Sequence, residues 1–261
     1  MKSKIPLLAF FGIAIIPLQY PAHADLQISG KTAQKIGRRV WDNECGGSVN
    51  GLTSWNRGEA FPSLGIGHFI WYPKGTTGPF EESFPQLLRF MTSRRVKVPD
   101  WLRRADGAPW PTRTAFMNQF DSPRMRELRS FLVNTVPVQA EFLVFRLERA
   151  LPGIEAAAPQ KDRSRIRENF YRVADSPGGA YALIDYVNFK GEGIKRSERY
   201  KGQGWGLLQV LSNMAPNDNP VRAFANSADE VLTRRVRNSP PSRHESKWLP
   251  GWKNRVRTYV D

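Results

Sequence analysis

Residues 41–72, WDNECGGSVNGLTSWNRGEAFPSLGIGHFIWY, decide the fold. They begin at the end of a segment, 31–43, whose apolar residues recur at helical spacing, and a Gly-Gly pair then stops that helix. From 51 to 72, apolar residues alternate with turn residues of the types Asn, Gly and Pro. The stretch therefore predicts a helix that carries Glu44 at its end, followed by a small antiparallel β-hairpin region.

Glu44 stands at an unfavourable place for an acid. It lies on or near the apolar stripe of the predicted helix, four residues after Val40. A carboxylate at the C-terminus of a helix is repelled by the helix dipole. An acid on an apolar face at that end therefore indicates a functional role, and the alternative is an ordinary residue of the last turn.

The remainder of the chain is predicted to be helical. Asp121 or Ser122 caps a helix that begins at Pro123, because proline suits the first helical position. Residues 99–111 are rich in Pro, Trp and Arg and predict an irregular segment. Further helices are predicted at 81–93, 136–150, 159–174, 179–189, 205–214, 219–225, 227–237 and 250–259. The predicted fold class is α+β, mostly α, in a single domain of residues 25–261, built as one body or as two lobes at about 25–95 and 96–261.

Residues 1–24 have the pattern of a secretory signal peptide. Two lysines form a basic start, residues 5–16 are apolar, and Ala22-His23-Ala24 is a small-x-small cleavage site. The apolar run is too short to span a membrane, which argues against an anchor. We expect the mature chain to begin near Asp25, to be periplasmic or secreted, and to contain no integral membrane segment.

The chain is strongly basic. Its 261 residues carry a net charge of +15, and without Lys2 and Lys4 there remain 37 basic residues against 24 acidic ones, a net charge of +13. This charge fits an anionic partner such as peptidoglycan or another cell-wall glycan, whereas nucleic acid is a poor partner outside the cytoplasm. The alternative is a basic surface that is only solvated. We expect a monomer.

Cysteine and histidine are scarce. After residue 24 the chain has one cysteine, Cys45, and two histidines, His68 and His244. A single cysteine forms no internal disulfide, so stability is expected from burial. We expect neither a zinc site nor a cofactor, because there is no cysteine cluster and no HExxH motif. A cysteine-peptidase pair of Cys45 with His68 is disfavoured, because Cys45 follows a helix, where the dipole opposes a thiolate.

The residues around the hairpin suit the cleavage of a glycosidic bond. That reaction needs one carboxylic acid to protonate the leaving oxygen and a second group to activate water or stabilise positive charge. Glu44 is the candidate acid, because apolar neighbours such as Trp55 favour a protonated carboxyl group. Glu59 is the nearest acid downstream and the candidate second group, and Ser63 is the candidate that positions water.

Three segments resemble, in order, motifs of the phage-type lysozymes, which are muramidases of the lysozyme superfamily. The first is Glu44 at a helix end, followed by Ser63-Leu64-Gly65-Ile66-Gly67-His68. The second is ALIDYVNFKGEG at 182–193, similar to the family's Ala-Leu-x-x-Phe-x-Phe-Asn-x-Gly helix with Lys190 inserted. The third is GWKNR at 251–255, similar to its closing Gly-Leu-x-x-Arg helix.

The resemblance implies a lysozyme-like fold and cleavage of the β-1,4 glycan backbone of peptidoglycan, with Glu44 as the general acid and Ser63 beside the reacting bond. The second acid of that family is an Asp, and Glu59 stands at a different offset from Ser63. The candidates for substrate binding near the hairpin are Trp55, Gly65 and His68. The glycines in this strand would let a sugar approach the backbone, and the histidine is expected mainly as a structural hydrogen-bonding residue.

A second resemblance offers another acid. Glu192 stands 17 residues before Gln209 of a Gly-Leu-Leu-Gln segment, similar to goose-type lysozymes and soluble lytic transglycosylases. Those enzymes place their acid before a β region, and we expect no clear β region after Glu192, so Glu44 is preferred. Tyr186, Asn188 and Glu192 are then candidate substrate contacts, and Glu192 is the alternative to Glu59 as the second carboxylate.

Two other functions stay open. One is a wall-binding protein that keeps a lysozyme-like fold without catalysis, because a fold does not determine a function. The other is cleavage of a different polysaccharide, such as a chitosan-like chain. The positive charge of the protein disfavours that substrate, because such a chain is itself cationic.

Overall fold

The computed structural model describes residues 26, 28–78, 80–216 and 218–260, and the predicted signal peptide at 1–24 lies outside them. Most of the described residues are helical. A small antiparallel sheet, β1 (Thr53–Ser54), β2 (Ser63–Leu64) and β3 (Phe69–Ile70), follows the first helix in the order β1-β2-β3. The prediction of a mostly α protein of the α+β class with a small N-terminal antiparallel region is therefore confirmed.

The helices are α1 (Gly30–Cys45), α2 (Phe84–Ser93), α3 (Asp100–Arg103), α4 (Arg113–Asn118), α5 (Pro123–Asn134), α6 (Val136–Ala157), α7 (Arg163–Ala174), α8 (Gly179–Lys190), α9 (Leu207–Asn213), α10 (Pro220–Asn238) and α11 (Leu249–Arg257). Their buried faces form a shared hydrophobic core with the sheet. Of the helices in the described ranges, none is both long enough and apolar enough to cross a membrane.

Capping residues at both ends of α1 place Glu44 in its last turn. The hydroxyl of Ser29 accepts a hydrogen bond from the backbone N–H of Thr32 at 3.2 Å. At the other end Gly46 adopts a left-handed conformation with φ of 58°, which glycine reaches without steric cost. The helix predicted at 31–43 is confirmed and extends two residues further, to Cys45.

A buried glutamine fixes the sheet to α6. The backbone N–H of Ile66 donates to the Gln139 side-chain oxygen at 2.9 Å, and the Gln139 side chain has no exposed surface. Gly65 has a positive φ of 74°, and a Cβ there would lie 2.4 Å from the same oxygen. The turn between β2 and β3 therefore requires glycine at Gly65, both for its backbone conformation and for the close approach to α6.

α8 runs through the core beside α6, α7 and α10. Its seven residues 181–187 are all buried, including the carboxylate of Asp185, which has no exposed surface. α11 packs on α10 near the chain end. The buried carboxylate of Asp185 requires a partner of opposite charge, and α11 supplies that partner.

The largest differences from the predicted helix bounds are in α10 and α6. Residues 219–225 and 227–237, predicted as two helices, belong to one helix, α10. The residues on both sides of position 226 are buried. The Ser227 hydroxyl donates to the Val210 carbonyl at 2.7 Å while Ser227 remains helical. α6 continues to Ala157 past Pro152, where the prediction ended at 150. Buried residues beyond the proline, including Ile154, stabilise this last part of α6.

Two further elements were missed. The segment 99–111, predicted to be irregular, contains the short helix α3, and α4 was not predicted although Thr112 caps it by accepting from the Ala115 N–H at 3.1 Å. The expectation of no β region after Glu192 is wrong, because β4 (Arg199–Tyr200) pairs with β5 (Gln203–Gly204). A left-handed Lys201 and Gly202 form the turn, which is too short for an alternating pattern to show in the sequence.

The contact between α1 and α6 generates a stability prediction. A Cβ added at Gly37 would lie 2.6 Å from the Cβ of Ala140, so Gly37→Ala should force the two helices apart and lower the free energy of unfolding by about 1–3 kcal/mol. The matched control is Gly251→Ala in α11, where an added Cβ meets nothing within 4 Å. The control should be neutral or stabilising by up to about 1 kcal/mol, since alanine favours helix.

Urea denaturation followed by circular dichroism measures both variants. Adding Ala140→Gly to the Gly37→Ala protein should recover part of the loss, because it removes the opposing methyl group. Equal effects of Gly37→Ala and Gly251→Ala would contradict the close approach of α1 and α6.

Candidate active site

The Glu44 carboxylate is held by donors from two distant helices. Its side chain is 15% exposed, and its Oε1 accepts from Arg255 Nη2 at 2.6 Å and from Asn188 Nδ2 at 3.2 Å. Asn188 is near the end of α8 and Arg255 is in α11. The three segments that resemble lysozyme motifs are thus brought to one carboxylate, since His68 reaches it as well.

Arg255 joins Glu44 to Asp185. Its Nε and Nη2 donate to both oxygens of Asp185 at 2.8 Å each, and the Tyr259 hydroxyl donates to the same carboxylate at 2.7 Å. Burial opposes the charge of the guanidinium, but Asp185 and then Glu44 outweigh it and raise the pKa of Arg255 well above its ordinary value. Arg255 therefore stays charged, and its hydrogen bond holds Oε1 of Glu44 in place.

His68 approaches the other oxygen of Glu44. Its ring Nε2 lies 3.2 Å from the Gly51 carbonyl oxygen and donates to it, because a carbonyl oxygen only accepts. Its Nδ1 lies 3.5 Å from Oε2 of Glu44. The His68 ring therefore faces the oxygen of Glu44 that Arg255 does not hold.

The glycines of the hairpin bring the backbone close to this site. A Cβ at Gly67 would lie 3.1 Å from Oδ1 of Asn188 and 2.8 Å from the ring of Phe69. His68 follows with a positive φ of 48°, a conformation that non-glycine residues rarely adopt. This strained turn is what directs the His68 ring toward Glu44 rather than away from it.

Ser63 and Gly65 lie in the same hairpin. Ser63 is 5% exposed in β2 and pairs with both Ser54 and Ile70. Gly65 accepts through its carbonyl from the Cys45 thiol, with Sγ 3.7 Å from that oxygen. Gly65 thus connects the end of α1 to the hairpin that carries His68, and its Cα faces Gln139 rather than open space.

Glu59 and Trp55 contact each other away from Glu44. The indole Nε1 of Trp55 donates to the Glu59 backbone carbonyl at 2.8 Å, and Trp55 is 5% exposed with its ring edge against Phe116. Oε2 of Glu59 is buried without a hydrogen-bond partner among the described residues. The Glu59 charge contributes to the raised pKa of Tyr72, behind burial and Glu82. No contact within the described residues joins Glu59 to Glu44.

Tyr186 and Lys190 are packed inside the helical region. Tyr186 has no exposed surface, its hydroxyl donates to the Trp205 carbonyl at 2.8 Å, and burial raises its pKa. The Lys190 ammonium lies 3.5 Å from the ring centre of Trp252 and 3.8 Å from that of Phe189. Burial, together with the nearby charges of Arg235 and Arg255, lowers the Lys190 pKa well below its ordinary value. Neither side chain presents a free polar tip to a ligand.

Glu192 occupies a different electrostatic environment. Burial, and then the charge of Glu81, raise its pKa, while Arg146 opposes that rise. Gln209 ties the Glu192 loop to α9, since its Nε2 donates to the Gly193 carbonyl at 3.0 Å and its Oε1 accepts from the Gly206 N–H at 2.9 Å. Glu192 is therefore a carboxyl group with a raised pKa, on a loop fixed by the glutamine that the transglycosylase resemblance singles out.

Cys45 is next to Glu44 in sequence but does not offer a nucleophile. The side chain is 8% exposed, and burial, assisted by the charge of Glu44, raises the thiol pKa to about 12. The thiol hydrogen-bonds to a backbone carbonyl, and His68 is occupied by Gly51 and Glu44. This environment opposes a cysteine-peptidase role. The described residues also contain no group of three or more His, Cys, Asp or Glu side chains able to hold a metal ion.

Sequence analysis gave no role to Asp185, and it quoted Arg255 only as part of a motif. A signal for Asp185 was present, because an acid within the apolar run ALIDYVNF requires a buried partner. The identity of that partner was not available locally, since 70 residues separate Asp185 from Arg255. Gln139, which supports the hairpin, has no distinguishing signal in a helix of ordinary composition.

No protein-family model, no curated protein and no solved structure matches the chain. The comparisons therefore assign it to no family, and a lysozyme-like fold remains a proposal.

Removing Arg255 should leave Asp185 as an uncompensated buried charge. We expect Arg255→Met to lower the free energy of unfolding by about 3–5 kcal/mol. Arg257→Met, an exposed position on the same helix, should change it by less than about 0.5 kcal/mol. Adding Asp185→Asn to Arg255→Met should recover part of the loss, because the buried charge is gone. Guanidinium denaturation at pH 7 measures all three, and equal effects of the two arginine substitutions would rule out the buried network.

Cys45 should be inert in the folded protein. A thiol pKa raised from 9.0 to about 12 leaves ~1,000-fold less thiolate at pH 8 than an ordinary cysteine has. We expect an aromatic disulfide reagent to label Cys45 rapidly in denaturant and slowly without it, measured by absorbance of the released thiol. Rapid labelling of the native protein would show that Cys45 is accessible and ionised.

Proposed function

We propose that the protein is an exported enzyme that cleaves the β-1,4 glycan backbone of peptidoglycan, on a lysozyme-like fold, with Glu44 as the general acid. The observation that carries the proposal is the convergence of His68, Asn188 and Arg255 on the Glu44 carboxylate. These residues come from the three segments that resemble the phage-type lysozymes. Partners drawn from a hairpin and two helices fix the orientation of this carboxyl group, as a general acid requires.

The two oxygens of Glu44 have different tasks in the proposed mechanism. Oε1 is held by Arg255 and Asn188, which fixes the orientation of the carboxyl group. Oε2, the oxygen near His68, holds the proton and donates it to the leaving glycosidic oxygen. Once the bond has broken, Oε2 carries negative charge close to the positively charged anomeric carbon, while Arg255 balances the charge on the other side of the carboxylate.

The second group of the mechanism is less closely tied to Glu44. In the proposal, the Ser63 hydroxyl on β2 positions a water molecule, as the resemblance to the phage-type lysozymes implies. Glu59 remains the candidate second acid from the sequence, although its contacts are with Trp55 and Tyr72. The basic charge of the chain after residue 24, 37 basic against 24 acidic residues or +13, would hold the anionic wall against the enzyme.

One observation favours a second candidate, a lytic transglycosylase that uses Glu192. Its carboxyl group has a raised pKa from burial and from Glu81, as a general acid requires, and the β4–β5 hairpin follows it in the chain. Glu44 is preferred because a guanidinium and an amide orient it, whereas Glu192 has no described side-chain hydrogen bond. A third candidate is a wall-binding protein without catalysis.

Isosteric substitution separates these candidates. The protein without residues 1–24, and its Glu44→Gln and Glu192→Gln variants, are incubated with peptidoglycan, and the soluble products are analysed by mass spectrometry. We expect Glu44→Gln to reduce product release by about 100-fold or more, because the proton donor is lost. Glu168→Gln, an exposed acid on α7, is the control and should leave the rate unchanged.

Each outcome identifies one candidate. Loss of products with Glu192→Gln alone would move the site to Glu192. Absence of products from the unsubstituted protein, with retained sedimentation on the wall, would indicate the binding protein. Products with reducing ends indicate hydrolysis, and products with anhydro ends indicate a transglycosylase.

A further inference from the structure

A pocket of about 420 Å³ lies between α10 and α11, outside the Glu44 site. Its volume is within the range of small-molecule binding sites. α10 contributes Arg235 and α11 contributes Trp252, and the connection between them contributes the remaining lining residues, Ser242, Arg243, Glu245 and Trp248. Two indole rings and two guanidinium groups around one cavity form an amphipathic, cationic lining.

The only acid of the pocket lining is already neutralised. Arg235 Nε and Nη2 donate to the two oxygens of Glu245 at 2.8 Å and 2.9 Å, and the Tyr200 hydroxyl donates to the same carboxylate at 2.8 Å. Glu245 is 5% exposed, so this arrangement is part of the wall. The charges of Arg235 and Glu245 cancel. The net charge of the pocket lining is therefore that of Arg243.

Arg243 can bind a ligand. Its side chain is exposed, and its charge helps to lower the pKa of Glu245, but no side-chain hydrogen bond or ion pair within 4.0 Å engages its guanidinium among the described residues. A guanidinium offers a planar fork of donors that matches the two oxygens of a carboxylate. The Lys247 ammonium, 5.1 Å from the Trp248 ring centre, adds positive potential at the same rim.

The tryptophans give the pocket an apolar face. Trp248 is 55% exposed, an unusual exposure for the largest apolar side chain. Trp252 also lines the pocket, with the Lys190 ammonium 3.5 Å and the Arg235 guanidinium 4.9 Å from its ring centre. An indole presents a flat apolar surface with little conformational entropy to lose, which suits the apolar face of a sugar ring. The pocket thus combines an apolar platform with one unpaired cation.

The pocket and Glu44 are connected through one helix. Trp252 and Arg255 are one turn apart on α11, so both lie on the same side of that helix. Trp252 borders the pocket, and Arg255 holds Glu44 at 2.6 Å. A ligand bound against Trp252 is therefore held at a defined position relative to Glu44.

We propose that this pocket is a subsite for a glycan unit that carries a carboxylate, with Arg243 pairing with the carboxylate and Trp248 packing against the sugar ring. The proposal rests on the proposed function, because it assigns the pocket to the same substrate chain. A neutral sugar would leave Arg243 unpaired, and a small anion would leave both indoles without a contact. The carboxylate comes either from an acidic sugar in the glycan or from a peptide stem attached to it.

Direct binding measurements test the pocket separately from catalysis. Isothermal titration calorimetry with the Glu44→Gln protein uses three probes: a neutral chitotetraose, a stem-free muramyl tetrasaccharide with free carboxyl groups, and the same tetrasaccharide with peptide stems. We expect a carboxylate probe to bind at least about tenfold more tightly than chitotetraose. The tighter of the two carboxylate probes identifies the source of the carboxylate.

Substitutions test whether the probes bind in the pocket. Arg243→Gln should weaken the carboxylate probes by about tenfold and leave chitotetraose unchanged, whereas Trp248→Ala should weaken all three. Arg237→Gln, an exposed arginine on α10 outside the pocket, removes the same charge and should have little effect. Equal affinities for the three probes, or equal effects of Arg243→Gln and Arg237→Gln, would overturn the proposal.

The two proposals fail in different ways. Preferential binding of the carboxylate probes by an unsubstituted protein that releases no products from peptidoglycan would refute only the catalytic function. Product release without any preference among the probes would refute only the subsite.

Discussion

One buried guanidinium holds the candidate site and the end of the chain together. Arg255 donates to Asp185 inside α8 and to Glu44 at the end of α1. Asp185 has no exposed surface, so its charge is tolerated only because Arg255 and the Tyr259 hydroxyl surround it. The last helix is therefore fixed in place by the same group that orients Glu44. Stability and the geometry of the site are not separable here, because both depend on a single network of charges.

The two candidate acids differ in what surrounds them. Glu44 lies beside a guanidinium that is shared with another carboxylate, and its Oε2 faces His68 instead of that guanidinium. Glu192 lies in a half-buried loop where Glu81 and burial raise its pKa. Carboxyl groups in contrasting environments are a common basis for dividing acid and base roles. The proposed function assigns the chemistry to Glu44 because its orientation is controlled by three side chains, which is a stronger requirement of catalysis than a raised pKa alone.

The structure agrees with the predictions that came from local signals in the sequence. Ser122 caps α5 with Pro123 at its first position, and Gly46 ends α1 in a left-handed conformation, as those residue types predict. The predictions failed where the deciding contact was not local. α10 is continuous because the core covers both halves, and β4 and β5 are only two residues each, held by the turn between them. Of the candidate site residues, His68 and Asn188 contact Glu44, whereas Trp55 and Tyr186 are enclosed in the core.

The sequence by itself determined the mostly helical class, the small β region after the first helix, and the position of Glu44 at a helix end, because caps, glycines and apolar periodicity act over a few residues. Only the tertiary structure decided which groups surround Glu44. Arg255 is 211 residues away in the chain, and its partner Asp185 is recognisable from the sequence only as a misplaced charge. An unpaired charge is costly in the core, because the core has low polarity. The helices that carry Asp185 and Arg255 therefore have to meet. The segment around Asp185 indicates that a partner is required, but it does not identify the residue that supplies it.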